Sequence, residues 1–169
     1  MFIIKMMLFI LLFISTTLIG ILIAKKYRER ENELKEIKTF LNILKTKIKF
    51  TYEPLGEILK EISNNFSDNV SCMLKNASNK MKKNTAKEAW ERAVKDSDLN
   101  ILKEDKEILA NLGKLLGRTN LEGQVSQIEQ TSEFMEYQIK KAETERTKNE
   151  KLFKTLGMLV GAGLIILLI

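Results

Sequence analysis

The chain has 169 residues, with 28 Lys and Arg against 22 Asp and Glu for a net charge of +6, no histidine and a single cysteine, Cys72. The lack of histidine excludes His-based triads, the common His-containing zinc sites and the usual general base at neutral pH. A lone cysteine excludes an internal disulfide, fits a reducing compartment, and is expected on an apolar face.

Met6 to Ala24 is an uncharged run of 19 residues, bounded by Lys5 on one side and by Lys25, Lys26, Arg28 and Arg30 on the other. A run of that length crosses a hydrocarbon core of about 30 Å as one helix, because a helix satisfies its own backbone there. No small-x-small cleavage site precedes Lys25, so the run reads as an uncleaved anchor. The excess of Lys and Arg marks the cytoplasmic side. From Lys25 to Lys49 nine bases face four acids, Lys5 adds one more, and the rest of the chain balances at 18 against 18. A surplus confined to the stretch leaving the membrane suits orientation and anionic headgroups. No aromatic residues interleave with it and no nucleic-acid motif is present, so nucleic acid is not expected as a partner.

The first helix continues from the anchor, and Leu34, Ile37, Leu41, Leu44 and Ile48 form a 3-4-3-4 stripe that packs against another helix. Pro54 lacks the N–H that a first helical turn would orphan, so a second helix starts there and buries Leu55, Ile58, Leu59, Ile62 and Phe66. The polar cluster Ser63, Asn64, Asn65, Ser67, Asp68 and Asn69 contains the next break. Val70, Met73, Leu74, Ala77 and Met81 form a third stripe. Thr85 with Glu88 is a capping box that opens a short helix burying Ala86, Ala89, Trp90, Ala93 and Val94.

A fifth helix follows Asp96 to Asp98, with Ile108, Leu109, Leu112, Leu115 and Leu116 apolar. Gly117 ends it, and Gly113 is expected to allow close approach. The last helix carries Leu121, Val125, Ile128, Ser132, Met135, Ile139 and Ala142 at heptad spacing. Its apolar character then fades, which predicts a charged stalk that leaves the bundle. The final run, Leu156 to Ile169, is uncharged; Thr155 to Ile169 as helix rises only about 22 Å, so it either spans with Leu152 and Phe153 drawn in or inserts shallowly. Gly157, Gly161, Ala162 and Gly163 make either a helix contact or merely tolerated glycines.

These elements give an all-α fold, a six-helix bundle-like soluble domain flanked by N- and C-terminal membrane segments. Residues 1–24 are the N-terminal transmembrane helix, 25–154 the cytosolic helical domain, and 155–169 the C-terminal transmembrane or membrane-inserted segment. No phosphate loop, nucleophile with a base, or metal-ligand cluster stands out, so no catalytic, cofactor or metal residues and no small-molecule substrate are expected.

The whole pattern resembles the stage III sporulation protein AB family of endospore-forming bacteria. The resemblance rests on Pro54-Leu55, on Lys87-Glu88-Ala89-Trp90-Glu91, on Leu112-Gly113 and Leu116-Gly117 with Gln124 following, and on Leu156-Gly157. Phe50, Glu53 and Asn120 depart from the family's Tyr, Thr and Asp. The resemblance implies a membrane component of the channel-like complex between mother cell and forespore, with a soluble domain similar to those of type II secretion F proteins. It further implies a platform for a cytosolic secretion-type ATPase, beside other stage III sporulation membrane proteins, in the mother-cell membrane around the forespore. An adaptor of another secretion or pilus-type system is the alternative. With the first helix leaving the membrane and the last returning, the far pole offers Glu53, Arg118 and Glu122 as partner-binding residues.

Overall fold

The computed structural model describes residues 2–168 apart from Ser67, Leu115 and Arg118, with Phe2 and Ile3 described by backbone alone. The expected positions of Leu115 in the fifth helix, Ser67 in the polar break and Arg118 at the far pole therefore lie outside the described residues. The fold is all-α: six helices, α1 Phe2–Phe50, α2 Leu55–Ile62, α3 Asp68–Met81, α4 Ala86–Lys95, α5 Lys103–Asn111 and α6 Leu121–Leu168, with short 3-10 turns at Ser63–Asn65 and Leu112–Lys114. No strand occurs among the described residues. α1 and α6 are each long and apolar enough to cross a membrane.

Contacts divide the chain into two compact units, one of residues 32–140 and one of residues 1–31 with 141–169. In the first, the expected stripes are the core. Leu34, Ile37, Leu41 and Leu44 are buried, as are Ile58, Leu59 and Ile62 on α2, Val70, Met73, Leu74 and Ala77 on α3, and Ala89, Trp90, Ala93 and Val94 on α4. Ile48, Leu55, Phe66, Met81 and Ala86, at the ends of their stripes, are only half-buried, as are Ile108, Val125 and Ser132, and Leu121 is exposed.

Trp90 anchors this core. Its ring stacks on Phe40 at 5.7 Å, and its Nε1 donates to the Leu109 carbonyl at 2.8 Å, so its one polar atom is satisfied inside. A Cβ on Gly113 would come within 2.8 Å of the Trp90 Cδ1, which is why the close approach there needs glycine.

The breaks follow local chemistry. Pro54 stands at the N-cap of α2 with φ −58°. Thr85 caps α4, its hydroxyl accepting from the Glu88 N–H at 3.3 Å. α5 starts later than the Asp96–Asp98 stretch suggests, because Leu99 and Ile101 are first buried in a non-helical segment and Asp105 then accepts the Leu102 N–H at 2.8 Å. Gly117 has φ +71°, the left-handed conformation that ends a helix at little cost only for glycine.

One expectation changes and another gains a detail. Cys72 is exposed rather than on an apolar face, since Met73 and Leu74 beside it occupy the buried side of α3. The charged part of α6 after Ala142 does leave the residue 32–140 unit, but it is accompanied. In the second unit it pairs with α1: Arg30 Nη1 meets Glu145 Oε2 at 2.6 Å, Arg146 Nε meets Glu31 Oε2 at 3.0 Å, and Tyr27 stacks on Phe153 at 5.9 Å. Charge fades the apolar stripe there, but complementary charge replaces it.

Candidate functional site

Glu53 and Glu122, two of the pole residues expected from sequence, belong to the residue 32–140 unit. Glu53 is exposed in the segment between α1 and α2, where the Thr51 N–H and hydroxyl both return to the Lys47 carbonyl at 2.8 Å. Beside it Phe50 and Tyr52 hold their rings in solvent. Lys47 Nζ pairs with Glu61 at 2.7 Å; that hydrogen bond holds its ammonium pKa above the ordinary value, with the charge of Glu53 adding to the effect.

Glu122 is exposed in the first turn of α6, where a carboxylate favours the positive end of the helix. The turn before it is built by two amides. Gln124 Oε1 accepts from the Gly117 N–H at 3.3 Å while its Nε2 donates to the Thr119 carbonyl at 3.0 Å, and Asn120 Oδ1 accepts from the Gly123 N–H at 3.0 Å. Asn120 therefore caps α6 as an Asp would. Glu53 and Glu122 stand on separate elements, no interaction among the described residues joins them, and Arg118 lies outside those residues.

Sequence reasoning missed a second surface. An open groove of about 980 Å³ runs between α5 and α6, with Glu107, Ile108 and Lys114 on one wall and Phe134 and Tyr137 on the other. Both aromatic rings are largely exposed. They fall off the heptad that carries Ile128, Met135 and Ile139, and an aromatic pair three residues apart outside a core stripe was the available signal.

The unit of residues 1–31 and 141–169 presents a different arrangement. A Cβ on Gly20 would lie 2.5 Å from the Phe153 carbonyl oxygen, and one on Gly157 would lie 2.9 Å from that of Thr16 and 3.1 Å from the Gly20 Cα. A Cβ on Gly161 would collide with the Thr16 hydroxyl, whereas Gly163 meets open space. Gly157 and Gly161 are thus helix contacts, and Gly163 is not. Outward from this seam Ile19, Leu22, Leu159 and Leu167 are exposed. Glu150 pairs with Lys154 at 2.7 Å, and that hydrogen bond, reinforced by the charges of Lys154, Arg146 and Arg28, holds its carboxyl below the usual carboxylate range.

No group of three or more His, Cys, Asp or Glu placed to hold a metal occurs among the described residues. The surfaces on offer are recognition surfaces: exposed rings, an open groove, and apolar helix faces with basic flanks.

The chain is similar to known proteins in both sequence and fold. A solved structure of stage III sporulation protein AB shares the fold, with a TM-score of 0.66 at 24% identity over 71% of this chain and 98% of that one. Stage III sporulation protein AB of Bacillus subtilis (strain 168) is 31% identical over 159 residues, covering 92% of this chain and 93% of the relative. The family model described as stage III sporulation protein AB matches residues 5–169, so by sequence over nearly its whole length this chain belongs to the stage III sporulation protein AB family.

Proposed function

We propose that this chain is a non-catalytic scaffold anchored at both ends in the mother-cell membrane around the forespore, within a secretion-like complex needed for sporulation. Residues 25–154 face the cytoplasm and dock a secretion-type ATPase, beside other stage III sporulation membrane proteins. The observation that supports this reading most is the outer surface of the apolar segments. Ile19, Leu22, Leu159 and Leu167 face outward from a glycine seam, which suits hydrocarbon and is costly in water at about 25 cal/mol per Å². Lys25, Lys26 and Arg28 follow one apolar run and Lys148, Lys151 and Lys154 precede the other, so both flanks favour the same, cytoplasmic side. The ATPase enters through the resemblance to type II secretion F domains, with Glu53, Arg118 and Glu122 as its contacts.

Two experiments test the parts separately. A reporter active only outside the cytoplasm is expected to work after Ile169 and to fail when inserted between Lys75 and Lys83. Internal activity overturns the hairpin, and silence after Ile169 reduces the tail to shallow insertion. In sporulating cells, capture of the ATPase by the tagged full chain should fall when Glu53→Lys, Arg118→Glu and Glu122→Lys are combined, with helicity and membrane fractionation unchanged, because rim charges act on association more than on fold. Undiminished capture moves the docking site elsewhere.

A further inference from the structure

Four acids beside the apolar segments are engaged within the chain, and the cations outnumber them. Glu29 pairs with Lys25 at 3.1 Å, Glu150 with Lys154 at 2.7 Å, Glu145 with Arg30 and Glu31 with Arg146. Lys26, Arg28, Lys148 and Lys151 remain exposed, and none of the four makes a direct ion pair among the described residues, although the charge of Arg28 is felt at Glu150.

Their placement follows from one antiparallel register. Gly20 meets Gly157, Thr16 meets Gly161, and Glu31 meets Arg146, so Lys26 stands level with Lys151 and Arg28 with Lys148, to within about a turn. The four cations thus make a collar on both helices, directly beyond the uncharged runs that end at Ala24 and begin at Thr155. The stacked rings of Tyr27 and Phe153 occupy the same level, where amphipathic aromatics favour the headgroup zone.

We propose that Lys26, Arg28, Lys148 and Lys151 form a binding collar for anionic phospholipid headgroups, the negative charge supplied by the lipid phosphodiester. The inference rests on the membrane reading above. Charge complementarity identifies the occupant. Four surplus cations sit at one depth, next to apolar side chains that continue the same surface toward the acyl region, and a soluble anion has no use for that continuity.

The full chain, extracted in mild detergent from vesicles of equal phosphatidylglycerol and phosphatidylcholine, should retain the anionic lipid in preference by roughly tenfold when bound lipids are counted by native mass spectrometry. The variant Lys26→Gln, Arg28→Gln, Lys148→Gln, Lys151→Gln should retain the two lipids near parity, with an unchanged melting profile. Lys82→Gln with Lys83→Gln, which removes two exposed cations from the turn after α3, should keep the preference. Parity in the unmodified chain, an undiminished preference in the fourfold variant, or loss of preference in the Lys82 and Lys83 variant overturns the collar. Alkaline carbonate extraction of the unmodified chain separates the two ideas. A chain that resists extraction yet shows no preference defeats the collar alone, whereas a chain that is washed off defeats the membrane reading.

Discussion

One helix, α1, carries opposite burial patterns in the two units. In its Asn32–Phe50 part, Leu34, Ile37, Phe40, Leu41 and Leu44 are buried, and Lys38 and Lys45 form outer ion pairs with Glu136 at 3.0 Å and Glu129 at 3.4 Å. In its earlier part Arg30 and Glu31 are 4% and 1% exposed, while Ile14, Leu18, Ile19 and Leu22 face outward. α6 repeats the inversion, from buried Ile128 and Met135 to exposed Leu159 and Leu167. The lesson is about driving force. Where water surrounds a bundle, removing apolar area from it supplies most of the association. Where hydrocarbon surrounds a helix pair no such gain exists, and close backbone approach at Gly20 and Gly157 with charge pairing near the ends must hold the seam.

The comparison breaks most visibly at Trp90. Truncation to Ala removes the Phe40 stack and the Leu109 hydrogen bond, and a buried Trp replaced by Ala typically costs about 3 to 5 kcal/mol out of a total of about 5 to 15. Denaturant titration followed by circular dichroism should show most of the helicity of residues 32–140 lost early. An unshifted midpoint would mean that the apolar core is not what holds that unit.

Arg30→Glu tests the other unit. Reversing one charge leaves two buried or half-buried carboxylates opposed, at a cost of about 2 to 4 kcal/mol, discounted because Glu145 keeps partial solvent access. A disulfide between Thr16→Cys and Gly161→Cys in a Cys72→Ser background should then form poorly. Adding Glu145→Arg should restore it. An undiminished disulfide yield in Arg30→Glu would assign the seam to glycine packing alone.

The smallest effect concerns pH. Asp96, the C-cap of α4, accepts a 2.6 Å hydrogen bond from Lys80 of α3, and that bond, followed by the charge of Lys80, holds its carboxyl below the ordinary value of 3.8. A carboxyl lowered in the folded state contributes stability above its unfolded pKa and loses it as pH falls through the folded one. The melting temperature of Asp96→Asn should therefore lie slightly below that of the parent at pH 7, with the gap narrowing once the pH drops below the ordinary carboxylate value and closing only below the lowered folded-state one. Because the pair is exposed, the gap should be much smaller than either effect above.

Much of this architecture was readable from residue type and spacing. Pro54 and Thr85 act through local backbone chemistry, so they announced the starts of α2 and α4 without tertiary information. The residues that carry the family resemblance are likewise structural: Trp90 fills the core, Gly113 makes room for it, Gly117 and Gln124 close a turn, and Gly157 forms the seam. Other features depended on what arrives from elsewhere in the chain. Glu33, only 6% exposed, looks like one more solvated acid, yet it accepts from Asn69 at 2.7 Å and from the Asn100 N–H and amide at 2.5 and 3.0 Å. Phe40 lies off the stripe and is buried because Trp90 comes to meet it. At the candidate site, sequence correctly put Glu53 and Glu122 in solvent, but a groove such as that beside Phe134 and Tyr137 exists only once α5 and α6 are side by side.

Cys72 and Trp90 are the single thiol and the single indole of the chain, the first on the surface of α3 and the second stacked inside. The unsubstituted protein thus carries two spectroscopic reporters with no background from other copies of either group. A maleimide dye at Cys72 senses what touches α3, tryptophan emission senses whether the interior is dry, and energy transfer between them records their separation. Events at the surface and loosening of the core can be timed in one sample, in the same molecule.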